Sequence, residues 1–264
     1  MSNSQLKCEE DRNLFSDAVR ATYSLKLHHS HYFAKVISYN GQIIEATTLP
    51  GIIGSLCTIQ RQNGEKFNGE IIGFKESKVD ILPYESNLDI KIGDEVFLSQ
   101  ESPKVAVGNE YLGRVIDGLG QPLDSMGPIA VEASMDLNGV RSNPFERRPI
   151  TEVLDVGIRS INSMLTIGRG QRIGIVAGSG VGKSVLLSMI TKSADADVVV
   201  VALIGERGRE LASFTQQILS SHSKEKVVVV AVPADRSPLL RIQGAKRATT
   251  IAEYFRDQGK NVLL

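Results

Sequence analysis

The chain of 264 residues carries 30 basic and 30 acidic side chains, so no net field draws it toward nucleic acid or anionic lipid. Its hydrophobic content of 42% fits a globular protein with a real core, and no apolar run nears the roughly 20 residues that span a membrane. The opening Met1-Ser2-Asn3-Ser4-Gln5 lacks the charged-then-apolar order of a secretory signal, and Cys8 and Cys57 form neither a CxxC pair nor a disulfide framework, so two reduced thiols in a cytosolic protein are expected.

Residues 1–30 are polar with a helical stripe of Leu14, Ala18, Ala21 and Leu25, widened by Phe15 and Val19. The stripe fits an N-terminal helical arm, either packed on its own domain or offered to a partner. The period then changes. Across 31–100, strand-length runs at 34–38, 55–59, 69–74, 78–82 and 95–98 are punctuated by Asn40-Gly41, Asn63-Gly64 and Gly93-Asp94. That spacing predicts a small all-β barrel, whose closure leaves no exposed sheet edge. Residues 101–149 read as a connecting segment, rich in Gly, Pro and Asp, with Arg147-Arg148 as a solvated charge pair before a proline.

From 150 to 264 strands and helices alternate, as in an α/β core. A buried strand is expected at 172–176. The apolar runs at 197–204 and 226–232 suit strands covered on both faces. A helix through Leu211, Phe214 and Ile218 separates them. A long helix follows from Pro238, with Gly259 suited to its far cap, and 261–264 begins one more buried strand.

Chemistry concentrates in Ala177-Gly178-Ser179-Gly180-Val181-Gly182-Lys183-Ser184, placed between the strand at 172–176 and a helix that continues through Val185. In that setting a Gly-rich run is a phosphate-binding loop. The glycines let backbone N–H groups curl toward nucleotide phosphates, and the helix directs its positive end at the same point. Lys183 supplies a cation for the β/γ oxygens and Ser184 a hydroxyl for Mg²⁺. Ala177 stands where the strict pattern has glycine; a small residue is still compatible with the loop. ATP and Mg²⁺ are therefore the expected cofactors.

A second constellation, Gly205-Glu206-Arg207-Gly208-Arg209-Glu210, lies just past the strand ending at Ile204. Ligands in open α/β sheets sit outside the carboxyl ends of the strands, so Glu206 would share the crevice of the loop. There a carboxylate orients water and accepts its proton; the other reading is a surface acid paired with Arg207 or Arg209. Asp235-Arg236 holds the equivalent end of the next strand, as a turn or as a contact to nucleotide or a neighbouring subunit. His28, His29 and His31 have no Cys or acidic partner at ligand spacing, and His222 is isolated, so no metal site is expected from them.

The motifs at 113–124 (Gly113-Arg114-Val115-Ile116-Asp117-Gly118-Leu119-Gly120-Gln121-Pro122), 168–172, 177–184, 203–210 and 251–264 together resemble the ATPases of type III protein export. Those enzymes are relatives of the catalytic subunit of rotary ATP synthases, and the resemblance runs from about Ala34 to Leu264. The segment Pro233-Ala234-Asp235-Arg236-Ser237-Pro238 is closer to the flagellar branch than to the injectisome branch. The resemblance implies a P-loop, RecA-like core after a small barrel, and a homohexameric ring with sites at subunit interfaces. It places the ring in the cytoplasm, peripheral at the inner membrane face, where it uses ATP to unload and feed exported protein substrates to the export gate. It implies catalytic roles for Lys183 and Glu206, nucleotide contacts from Ala177, Gly178, Ser179, Gly180, Val181, Gly182, Lys183, Ser184 and Val185, and Mg²⁺ on Ser184. The barrel would form the crown of the ring, and the arm would meet a regulator of the export apparatus and the membrane face.

In the family, a segment like 261–264 continues to an Asp that helps hold Mg²⁺, then to an arginine donated across the interface and a helical domain. This sequence stops at Leu264, so a nucleotide-binding chain with poor or absent turnover is expected. Three other readings compete. An RNA-translocating ring would want basic and stacking residues in the barrel, but Phe33, Tyr39, Phe67, Phe74, Tyr84 and Phe97 are scattered and acids match bases, so no nucleic acid is expected. A rotary ATP synthase subunit fits the Ser184 loop and the Asp235 segment less well. An injectisome ATPase remains the near alternative.

Overall fold

The computed structural model describes residues 33–85, 88–100, 104–131, 133–139, 143, 145, 149–178, 180–219 and 224–264. The arm at 1–30, Cys8, the four histidines, Arg147, Arg148 and Ser179 lie outside the described residues.

Six strands form the first unit: β1 (Phe33–Tyr39), β2 (Ile44–Thr47), β3 (Leu56–Gln60), β4 (Lys66–Lys75), β5 (Lys78–Pro83) and β6 (Glu95–Gln100). They close as an antiparallel barrel in the order β1-β2-β5-β4-β3-β6, sealed where Phe33 of β1 meets Phe97 of β6. Alternation explains the closure: Val79 and Ile81 of β5 turn inward while Lys78 and Asp80 do not, and Ala34, Val36, Ile44, Cys57, Ile59, Ile71 and Val96 complete the interior. Burial pushes the Cys57 thiol up to about 12, so it is an inert packing group. Gly69 is required by contact rather than by backbone angle, since a Cβ there would lie 2.9 Å from Ile81 Cγ2. The sequence pattern missed β2 because its four residues offer only Ile44 and Ala46 as inward positions.

The stretch after the barrel contributes more than a connection. β7 (Lys104–Val107) pairs with β9 (Ala133–Asp136), and β8 (Val115–Ile116) joins a parallel sheet of order β12-β10-β11-β8. Its other members are β10 (Val198–Ile204), β11 (Val227–Val232) and β12 (Val262–Leu263). The helices are α1 (Arg159–Met164), α2 (Lys183–Ser193), α3 (Gly208–Leu219) and α4 (Pro238–Asp257). β10 and β11 run in register from Val199↔Val227 to Ile204↔Val232. One face, with Val198, Val200, Val228 and Val230, packs on Ala248, Ile251 and Phe255 of α4. The other, with Val199, Val201, Leu203 and Val229, packs on Leu211, Phe214 and Ile218 of α3. Both strands are apolar along their length because both faces are covered. Among the described residues no helix is long and apolar enough to cross a membrane.

Two expected strands differ. Residues 172–176 form no strand; Ile173 is 49% and Val176 99% exposed. The sheet ends at β12, and a groove of about 400 Å³ lined by Arg169, Gly170, Leu263 and Leu264 lies between it and the start of this segment. Without a ladder partner, an apolar run gains nothing from extending. β12, at the edge of the sheet, is only partly buried.

A buried ion pair fixes β8. Arg114 donates Nε to Asp124 Oδ2 at 2.7 Å and Nη2 to Oδ1 at 2.9 Å, and Val115 N–H bonds the same carboxylate at 2.9 Å. The Asp124 side chain has no solvent exposure. Burial alone would raise its carboxyl, but the Arg114 guanidinium and the Val115 and Met126 N–H groups overcome that and hold it at about 2. The folded value lies below the ordinary 3.8, so the pair stabilises the fold above about pH 4 and that stability fades as pH falls through 2. Asp124→Asn should cost about 2–4 kcal/mol in urea unfolding at pH 7, and its deficit should shrink by pH 2.5. A variant as stable as the parent at pH 7 would show that the pair contributes nothing net.

Candidate nucleotide-binding site

The site gathers at the carboxyl end of β10. The loop before α2 turns at Gly180 (φ +78°) and Gly182 (φ +98°), backbone angles that favour glycine. Gly182 caps α2 with no side-chain hydrogen bond, so the first-turn N–H groups of the helix are left for an anion. A Cβ built on Gly178, Gly180 or Gly182 would meet nothing within 4 Å, so the loop is glycine-rich for its curvature and for open approach, not for protein crowding.

Glu206 arrives from the other side. After Ile204 the chain turns at Gly205 (φ +78°), whose N–H donates to Val232 O at 2.7 Å, while Ala234 N–H donates to Glu206 O at 3.0 Å. These two bonds tie the Glu206 turn to the end of β11. Arg207 O accepts from Glu210 N–H and Leu211 N–H, starting α3. The result is an ion pair between Lys183 Nζ and Glu206 Oε1 at 3.6 Å, with the side chains 49% and 37% exposed. A pair this wet contributes about 0–1 kcal/mol and is easily exchanged for a stronger anion.

A cleft of about 720 Å³ separates the loop from α3. Ala177, Gly178, Gly180, Gly182, Lys183, Ser184, Val185 and Glu206 line it, so most residues singled out in the sequence come together. Val181, 68% exposed, does not line it. Neither does Asp235, nor Arg236, whose N–H closes a turn on Pro233 O at 3.2 Å. The opposite wall is formed by Arg209 and Glu210, from the second constellation, and by Ser213, Phe214 and Gln217 of α3, which sequence reasoning did not assign to the site. Their spacing of three and four residues was the available signal, hidden because the same helix also carries the core stripe of Leu211, Phe214 and Ile218. Among the described residues no group of three or more His, Cys, Asp or Glu could hold a metal. A cation here would depend on Ser184 and on the phosphate oxygens of a ligand, which suits Mg²⁺.

Comparison with known proteins agrees with this geometry. Residues 157–264 match the family model of the ATP synthase alpha/beta family, nucleotide-binding domain. The chain is 47% identical over 227 residues to a flagellum-specific ATP synthase of Pseudomonas aeruginosa, covering 85% of this chain and 50% of that protein. It is 42% identical over 253 residues to a protein of the same name from Aquifex aeolicus, covering 96% and 57%. It thus spans about half the length of the curated relatives it matches. A solved structure of the assembled ATPase EscN with its central stalk EscO, from the type III secretion system of enteropathogenic Escherichia coli, superposes with a TM-score of 0.79 at 40% identity, over 87% of this chain and 56% of that one. The family model thus covers residues 157–264, while the likeness to the Pseudomonas relative runs over 85% of the chain.

Proposed function

We propose that the chain binds Mg-ATP in the cleft between the glycine loop and α3 and serves the ATPase of flagellar type III protein export. The observation that carries this reading is the juxtaposition of Lys183 and Glu206 from two separate elements across one cleft. On ATP binding, Lys183 exchanges Glu206 for the β/γ-phosphate oxygens, and the uncapped N–H groups of α2 take the rest of the charge. Glu206, released from its pair, orients a water in line with the terminal phosphorus and accepts its proton as the P–O bond to ADP breaks. Ser184 would hold Mg²⁺, which supplies neutralisation of the phosphate charge. Arg209, on the facing wall, lies on the side from which a second positive contact to phosphate would come.

The flagellar assignment is supported by relatives of that name at 42–47% identity, among them those of Bacillus subtilis and Pseudomonas aeruginosa. The injectisome reading is favoured by the likeness to EscN, at 40% identity. By the same kinship the working form is a homohexamer at the cytoplasmic face of the inner membrane. Its partners are an export-apparatus regulator, the export gate and exported proteins.

Two substitutions test the site by binding of a fluorescent ATP analogue, with turnover measured alongside. Lys183→Ala removes a charge-assisted contact and should weaken binding about 10–100-fold with the thermal unfolding midpoint little changed. Binding equal to the parent would place the nucleotide elsewhere. Glu206→Gln frees Lys183 from its resting partner, so affinity should rise about 2–5-fold, while any turnover should fall about 100-fold or more. Loss of binding in Glu206→Gln would show that the carboxylate builds the site rather than acting in the reaction.

A further inference from the structure

Well away from the glycine loop, the turn at 117–122 roofs a second cavity of about 640 Å³, and no residue lines both. Arg247 of α4 reaches into this cavity from below. The residue is 9% exposed, and its Nε donates to Gly118 O at 3.0 Å. Its remaining guanidinium N–H groups make no hydrogen bond among the described residues, yet they are not sealed off. The cavity is what they face. Gly120 makes room for them: at φ +87° it has no side chain, and a Cβ there would lie 2.6 Å from Arg247 Nη1.

The charge of this guanidinium is only partly balanced by its surroundings. Among the described residues Arg247 forms no ion pair and no Asp or Glu lines the cavity, while Lys104 adds a second cation to the lining. One carboxylate, Asp117, favours the Arg247 charge from a distance, while Oδ1 of that residue accepts the N–H groups of Leu119 and Gln121 at 2.8 Å each. Burial works against the Arg247 charge and lowers its affinity for a proton. Such groups are held with a partner or await one. Ser125 and Gln121 supply neutral donors on the same wall. The volume is that of a small-molecule site, and a fork of guanidinium N–H groups with an ammonium on the same lining suits a tetrahedral oxyanion.

We propose that this cavity is an anion site for a phosphate group, independent of the nucleotide cleft, with Arg247 as its anchor and Lys104 as its outer contact. The test is calorimetric titration of inorganic phosphate into the 264-residue Lys183→Ala chain, in which the hold of the glycine loop on phosphate is weakened. Binding in the millimolar range or tighter is expected, and it should weaken about tenfold or more in Lys183→Ala/Arg247→Gln and in Lys183→Ala/Lys104→Glu. Lys104 is exposed, so its variant decides the matter should Arg247→Gln fail to fold. Glycerol 3-phosphate titrated in parallel separates the sources: tighter binding than phosphate points to a phosphomonoester, weaker binding to the free ion. No phosphate binding in the Lys183→Ala parent, or binding indifferent to Lys104→Glu, would overturn the proposal.

Discussion

The parallel ladder between β10 and β11 is the constraint on which the rest depends. Both strands are sandwiched, so each valine is removed from water on whichever face it points to, at about 1.5–3 kcal/mol per side chain. That ladder does more than stabilise. It ends at Ile204 and Val232 in register, and the Gly205 and Ala234 hydrogen bonds lock the two following turns together. Glu206 therefore stands on a rigid platform, whereas the loop carrying Lys183 is held mainly by α2.

The barrel meets this platform through polar contacts rather than apolar ones alone. Ser237, the N-cap of α4, accepts from Leu240 N–H and donates to Tyr84 O at 2.7 Å. Gln243, one turn and a half further on, donates to Glu70 Oε2, which also accepts from Tyr84 Oη. The Ser237–Tyr84 and Gln243–Glu70 bonds join the barrel and its exit to the start of α4. Burial and Glu70 both hold the Tyr84 phenol far above its usual range, so it stays a donor. α4 also lies close to the turn at 117–122, since a Cβ on Gly118 would sit 2.8 Å from Leu240 O. One helix thus touches the barrel, the sheet and the roof of the second cavity.

The nucleotide cleft is built with little energy in the unliganded pair. Lys183 and Glu206 are both substantially exposed, and their contact is loose. A pair this weak leaves the Lys183 ammonium ready to exchange Glu206 for another anion. The glycine loop has the same character: positive φ at Gly180 and Gly182 and open space around both, so its shape is completed by what binds.

Short-range pattern determined much of this protein. Alternation at 78–82 foretold β5, continuous valine at 227–232 foretold a doubly covered strand, and Pro238 and Gly259 marked the ends of α4, because each signal is local and set by backbone chemistry. The glycine loop and Glu206 were legible for the same reason, as a motif and as a residue one turn past a strand. Tertiary structure alone decided the remainder. Residues 172–176 carry a strand-like sequence but pair with no strand of the sheet, a matter of neighbours that no local pattern records. β8 is two residues long and exists through its pairing with β11 and the Arg114–Asp124 clamp. Arg247 reads as an ordinary helical arginine until α4 is laid under Gly118 and Gly120, about 130 residues earlier in the chain. Burial, and with it the meaning of a buried charge, is a property of the assembled neighbours and not of the residue.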